Sequence, residues 1–134
     1  MATPLRIGVA GLGTVGAALV RLIAANGHAF ARRFGRPVKV AAVSARDKSR
    51  DRGLDLNGIT WFDDPVALAQ SADIDCVVEL MGGADGKAKE TVEAALGAGK
   101  SVITANKALL AKHGNALAAL AEKNGAQLNF EAAV

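Results

Sequence analysis

Tyrosine is absent from this sequence, and aromatic residues make up only 4% of it. A surface that stacks nucleic-acid bases needs such rings set in a dense basic face. The net charge is a mild +3, from 16 basic and 13 acidic residues, so nucleic acid is not an expected partner. The single cysteine, Cys76, leaves no intramolecular disulfide to form. A lone thiol suits a reducing cytoplasm, which is the expected location. His28 and His113 have no paired ligands at metal spacing, so a zinc site is not expected. No stretch reaches the roughly 18 consecutive apolar residues of a membrane span, and no membrane partner is expected. Residues 1–10 hold one basic residue and a short apolar run, which does not predict a secretory leader. There is no G-x-S-x-G element, and no Walker lysine follows the glycines.

Hydrophobic residues are 51% and charged residues 22% of 134, the balance of one globular domain, expected over 1–134. The pattern alternates. Residues 5–10, LRIGVA, read as a strand. Val15, Leu19, Leu22 and Ile23 then mark one face of a helix. That helix either continues or restarts after Asn26-Gly27, and Gly35-Arg36-Pro37 stops it. Strands are predicted at 38–44, 59–62, 74–81, 100–104 and from 126, and helices at 66–71, about 87–98 and 107–123. Asp63-Asp64-Pro65 reads as the start of the first of those three helices, with Pro at an early helical position. Residues 45–58 are polar and read as a loop or short helix. Strands alternating with helices imply βαβ units, hence an α/β fold: a doubly wound, mostly parallel sheet of about six strands with helices on both faces.

Gly11-Leu12-Gly13-Thr14-Val15-Gly16 is G-x-G-x-x-G. The pattern is weak alone, but here it follows a predicted strand and opens a predicted helix, the context it requires. Gly11 permits a tight turn, Gly13 lets a pyrophosphate approach the backbone, and Gly16 lets the helix pack on the strand. Free N–H groups and the helix dipole favour the anion. This is a Rossmann-type dinucleotide-binding domain in expectation. At the end of the second strand stands Ser44-Ala45-Arg46-Asp47-Lys48. Arg46 can pair with a 2′-phosphate, with Ser44 and Lys48 as further donors, which favours NADP over NAD. Asp47 falls one or two positions late for the ribose role, and a solvated loop is the competing reading of Arg46. A basic strip from Arg32 to Arg52 reads either as solvated surface or as a local anion site.

Ligands of open α/β sheets bind beyond the carboxyl ends of the strands. Gly82 and Gly83, after the strand ending in Glu79-Leu80-Met81, allow backbone close to a flat nicotinamide ring, or form a plain turn. Glu79 is either a site carboxylate or an outward-facing strand residue. Asn106 is a predicted N-cap. Lys107 then lies in the first helical turn, where a cation is disfavoured by about 0.3–1 kcal/mol; that oddity suggests a use in holding cofactor or substrate, against the plainer reading of an exposed lysine.

RIGVAGLGTVG, VSARDKSRDRG, ELMGG, ITANKALLAKHG and NFEAAV together resemble, in order and over essentially the whole chain, the amino-terminal part of homoserine dehydrogenase. The resemblance implies reversible oxidation of L-homoserine to L-aspartate 4-semialdehyde with NADP, or NAD, in threonine, methionine and isoleucine synthesis. It implies that residues 11–16 hold pyrophosphate, that Arg46 meets the 2′-phosphate, and that Gly82 and Gly83 border the nicotinamide. It further implies that Lys107 reaches cofactor and substrate, and that Glu131 and the Val134 carbonyl begin a monovalent-cation site, usually sodium. Lys87 stands where relatives commonly carry proline. Family chains continue past FEAAV into a substrate and dimerisation domain holding the substrate carboxylate contacts and a second catalytic lysine. The expectation is therefore a fragment of a longer two- or three-domain enzyme, binding cofactor without turnover, its homodimer dependent on the missing domain. The alternative is a stand-alone nucleotide-sensing regulatory module that acts through a partner protein.

Overall fold

The computed structural model describes residues 3–130. The elements run β1 (Leu5–Ala10), α1 (Thr14–Phe34), β2 (Val38–Ser44), β3 (Thr60–Phe62), α2 (Pro65–Gln70), β4 (Cys76–Glu79), α3 (Lys87–Gly97), β5 (Ser101–Thr104), α4 (Lys107–Lys123) and β6 (Leu128–Phe130). They form one six-stranded sheet in the order β3-β2-β1-β4-β5-β6, with every pairing parallel. The α/β doubly wound architecture is as expected, and the sheet is wholly rather than mostly parallel.

Each face of the sheet has its own core. On one, Leu12, Val20 and Ile23 at and within α1 pack with Ile7, Val9, Val43 and Val78. On the other, Leu68 of α2, Val92 and Leu96 of α3, and Leu109 and Leu117 of α4 pack with Val77 and Val102. Central strands buried on both sides lose the polar alternation of a half-exposed sheet. The reversal of strand order falls between β1 and β4. Successive helices depart to opposite sides there and leave a crevice at the carboxyl ends.

α1 is one continuous helix, and Asn26-Gly27 does not interrupt it. The Asn26 amide donates back to the Leu22 carbonyl at 3.0 Å. A Cβ on Gly27 would lie 2.8 Å from the Val38 carbonyl oxygen, so glycine there lets the helix run close to β2. The helix ends at Gly35, at φ +82°, whose N–H donates to the Ala31 carbonyl.

β4 is shorter than expected, ending at Glu79 rather than residue 81. The Glu79 carboxylate accepts from the backbone N–H groups of Met81 and Gly82, which turns the chain out of the sheet. Cys76 is buried in this strand, and burial pushes its thiol up to about 11, which makes it an inert packing residue.

The amino ends of the two central strands are tied by an ion pair. Arg6 donates through Nε and Nη2 to Asp75 at 3.1 and 3.0 Å, and its backbone N–H donates to the same carboxylate. The Arg6 hydrogen bond holds the Asp75 carboxyl below its ordinary value. A depressed folded pKa contributes stability above the unfolded value and loses it as pH falls through the folded value. Urea unfolding from about pH 6 to about pH 3 should therefore show a steeper loss in the parent chain than in Asp75→Asn. Equal losses would mean that this pair is not coupled to folding.

Candidate dinucleotide site

A cleft of about 1000 Å³ opens at the carboxyl ends of β1, β2 and β4, at the reversal of strand order. Its floor is the turn between β1 and α1. Gly11 stands at φ +108°, and a Cβ there would press within 2.9 Å of the Leu80 backbone. This glycine is demanded by the fold itself. Gly16 is buried, and a Cβ on it would overlap the Gly11 carbonyl oxygen. The first turn of α1 thus sits directly on the end of the β1 loop.

Gly13 differs from both. Its φ of −73° is ordinary for any residue, and a Cβ there would meet nothing within 4 Å. It is exposed and lines the cleft. It is also the N-cap of α1, where no side chain caps the helix and no acidic residue occupies the first turn. The leading N–H groups of a 21-residue helix therefore have neither capping oxygen nor compensating charge. Nothing in the protein requires the missing side chain, and the space it leaves opens onto uncapped N–H groups. That is the shape and polarity a diphosphate would fill.

The wall toward β2 holds Ser44, Ala45 and Arg46. Ser44 is buried, and its carbonyl accepts from the Gly11 N–H at 2.9 Å, which ties this wall to the glycine turn. Arg46 is exposed on the lining. Asp47 lies outside the lining: its carboxylate accepts from the Ser49 hydroxyl at 2.6 Å and the Ser49 N–H at 3.0 Å. The Ser49 hydroxyl bond holds the Asp47 carboxyl below its ordinary value. Arg50 and Arg52 join Arg46 on the lining, so part of the basic strip does converge on the cleft. Arg52 lies over the Trp61 ring at 5.6 Å, and the indole N–H donates to Asp63. Trp61 packs with the α1-face core, as a packing residue should.

The opposite wall is the loop Leu80 to Gly86. Gly82 and Gly83 line the cleft at φ +80° and +88°. Asp85 fixes the far end of this loop to α4. It accepts from Lys112 Nζ at 2.7 Å and pairs with His113 Nε2 at 2.8 Å. Those bonds, Lys112 first, hold its carboxyl below the ordinary value. Lys87 opens α3 on the lining, and its ammonium lies 3.5 Å from Asp64.

Eight predicted residues thus meet at one cleft: Gly11, Leu12 and Gly13, then Ser44, Ala45 and Arg46, then Gly82 and Gly83. Thr14, Val15, Gly16, Lys48, Asn106 and Lys107 are outside the lining. Thr14, Val15 and Gly16 carry the N-terminal turn of α1 behind Gly13. Lys48 is exposed. Asn106 caps α4 by accepting from the Leu109 N–H at 3.0 Å, and Lys107 is the exposed first residue of that helix. Glu131 and Val134 lie outside the described residues. Sequence reasoning left Glu79 open between two roles. It is neither outward-facing nor on the lining, but wholly buried beneath the loop of the opposite wall.

Residues 11–131 match the family model described as "Homoserine dehydrogenase, NAD binding domain". A homoserine dehydrogenase of Corynebacterium glutamicum is 44% identical over 129 residues, covering 96% of this chain and 28% of its own length. The crystal structure of the S. aureus homoserine dehydrogenase superposes with a TM-score of 0.88 at 35% identity, over 98% of this chain and 33% of that one. A hyperthermophilic archaeal homoserine dehydrogenase in complex with NADPH gives 0.75 at 28% identity, over 96% of this chain and 44% of that one. The chain spans about 30% of the length of the curated relatives it matches. Among the described residues no helix is long and apolar enough to cross a membrane. The glycine turn, the cleft behind it and the family match lead to one conclusion: this chain belongs to the homoserine dehydrogenase family, of which it is the NAD-binding domain.

Proposed function

We propose that the cleft holds NADP in preference to NAD, as the cofactor half of an enzyme that interconverts L-homoserine and L-aspartate 4-semialdehyde. The observation that carries the dinucleotide reading is Gly13, a glycine the protein does not need for itself and whose absent side chain opens the cleft to uncapped helix N–H groups; Arg46 on the lining supports the 2′-phosphate. Gly11, Leu12, Gly13, Thr14, Val15 and Gly16 hold the pyrophosphate. Ser44, Ala45, Arg46 and Lys48 receive the adenosine ribose and its 2′-phosphate, and Gly82 and Gly83 border the nicotinamide. Asn106 and Lys107 stand at the reacting end, where Lys107 meets cofactor and substrate. When bound, the nicotinamide supplies hydride transfer to or from the substrate carbon. This chain's residues bind and orient it. The substrate contacts and dimerisation belong to the remainder of the enzyme, which would complete a sodium site begun by Glu131 and Val134 of this chain. The chain by itself binds dinucleotide without turnover; the reaction of the whole enzyme serves threonine, methionine and isoleucine synthesis in the cytoplasm.

Calorimetric titration tests the cofactor. The parent chain should bind NADP more tightly than NAD. Arg46→Ala should weaken NADP by about ten- to a hundredfold, the worth of one charge-assisted contact, and leave NAD unchanged. Tighter binding of NAD by the parent chain would overturn the 2′-phosphate assignment. No heat with either would overturn the dinucleotide reading.

A further inference from the structure

Glu79 is 0% exposed at the carboxyl end of β4, flanked in the sheet by Ala10 and Thr104. A buried carboxylate is costly unless its lone pairs are filled. Here Oε2 accepts from the Met81 N–H at 2.6 Å and the Gly82 N–H at 3.2 Å, and Oε1 accepts from the Thr104 hydroxyl at 2.7 Å. No cation pairs with it among the described residues. A leucine would fill this strand end at less cost in desolvation, so what the carboxylate supplies is geometry.

The bonds continue across the loop. The Asn106 N–H donates to the Thr104 hydroxyl at 3.1 Å, and the Asn106 side-chain amide donates to the Gly83 carbonyl at 2.6 Å. The backbone of residues 81–83 is therefore held from beneath at three successive residues. The same loop packs on the glycine turn, where Leu80 backbone atoms lie against Gly11. In the wall that carries Arg46 the buried polar residue is Ser44, which ties that wall to the glycine turn through its backbone carbonyl.

We propose that Glu79 is a positioning residue for the nicotinamide half of the dinucleotide, acting through Met81, Gly82 and Thr104. The inference rests on the dinucleotide reading and goes beyond it by giving the nicotinamide wall a buried side-chain support of its own. A glutamine at 79 has nearly the same shape but cannot accept from all three donors. With its oxygen on the Met81 and Gly82 N–H groups it holds them by neutral rather than charge-assisted bonds, and its amide reverses the bond to Thr104, whose hydroxyl must rotate to accept; turned round, it faces two N–H groups.

The test uses two probes on the folded chain, NADPH and adenosine 2′,5′-bisphosphate, which lacks the nicotinamide half. Glu79→Gln should weaken NADPH by about tenfold and leave the bisphosphate within about twofold. Thr104→Val, which removes the linking hydroxyl, should act in the same way, and Thr104→Ser, which keeps it, should restore parental binding. That pair decides the matter if Glu79→Gln does not fold. Unchanged NADPH binding in the folded variants would overturn the proposal. Equal losses for both probes would overturn it too, because a merely structural role damages both halves. If the parent chain binds neither probe, the dinucleotide reading falls first and this inference falls with it.

Discussion

Gly13→Asp is expected to abolish dinucleotide binding while leaving the fold as stable as before, or slightly more so. The two effects have opposite signs because Gly13 occupies two roles. As the N-cap of α1 it has φ −73° and ψ −162°, extended backbone that an L-residue adopts freely, and a Cβ there meets nothing. Aspartate is among the best N-caps, and its charge suits the positive helix end, together worth up to about 1 kcal/mol. The added carboxylate would, however, satisfy the uncapped N–H groups and stand where the proposed pyrophosphate would lie. Like charges about 4 Å apart repel by about 1 kcal/mol in water and about 4 kcal/mol where screening is intermediate. Calorimetry should show NADP and NAD both weakened by about a hundredfold or more, with an unfolding midpoint at or above the parent's. Losing both cofactors distinguishes this change from Arg46→Ala, which should lose only NADP. A folded Gly13→Asp that binds normally would remove the pyrophosphate from this turn.

The strand and helix order was legible because the periodic elements are strong. α4 occupies the predicted residues 107–123, with Asn106 capping it, and β2 ends at Ser44 as read. What was less legible has a common physical source: groups that act across the chain rather than along it. Asn26-Gly27 carries a local stop signal, yet Gly27 is there so that α1 can pass the Val38 carbonyl. β4 ends before its hydrophobic run does: apolar Leu80 and Met81 extend the run, whereas the Glu79 carboxylate captures the Met81 and Gly82 amides that would continue the ladder. Which way Glu79 points could not be read from a strand buried on both faces, since no alternation separates its sides. The convergence of Arg50 and Arg52 on the cleft had a signal, the basic strip, but no periodicity to say which of its members turn inward. The glycine motif was the most legible feature because its glycines differ in kind: Gly11 and Gly16 each answer a separate steric demand of the fold, and Gly13 answers none.

That separation yields the second large effect, on stability rather than binding. Gly16→Ala should destabilise the chain by about 3 kcal/mol, although alanine ordinarily favours a helix over glycine by about 1 kcal/mol. The reason is the neighbour that the new methyl meets. At Gly16 it is the Gly11 carbonyl oxygen, which is backbone and cannot rotate aside as a side-chain end would. Gly11 has little room to retreat. Its N–H is bonded to Ser44, and the Leu80 backbone, which Glu79 holds through the adjacent amides, leaves no space for even a Cβ on that side. Relief therefore requires α1 to lift from the end of β1, and Leu12 and Val20 would lose burial in the α1-face core as it did so. Urea unfolding should show a lower midpoint with an unchanged slope, the mark of lost stability without a changed unfolded state. A Gly16→Ala chain as stable as its parent would mean that the turn has slack, and a turn with slack could not hold Gly13 and its neighbouring N–H groups at a fixed distance from a diphosphate.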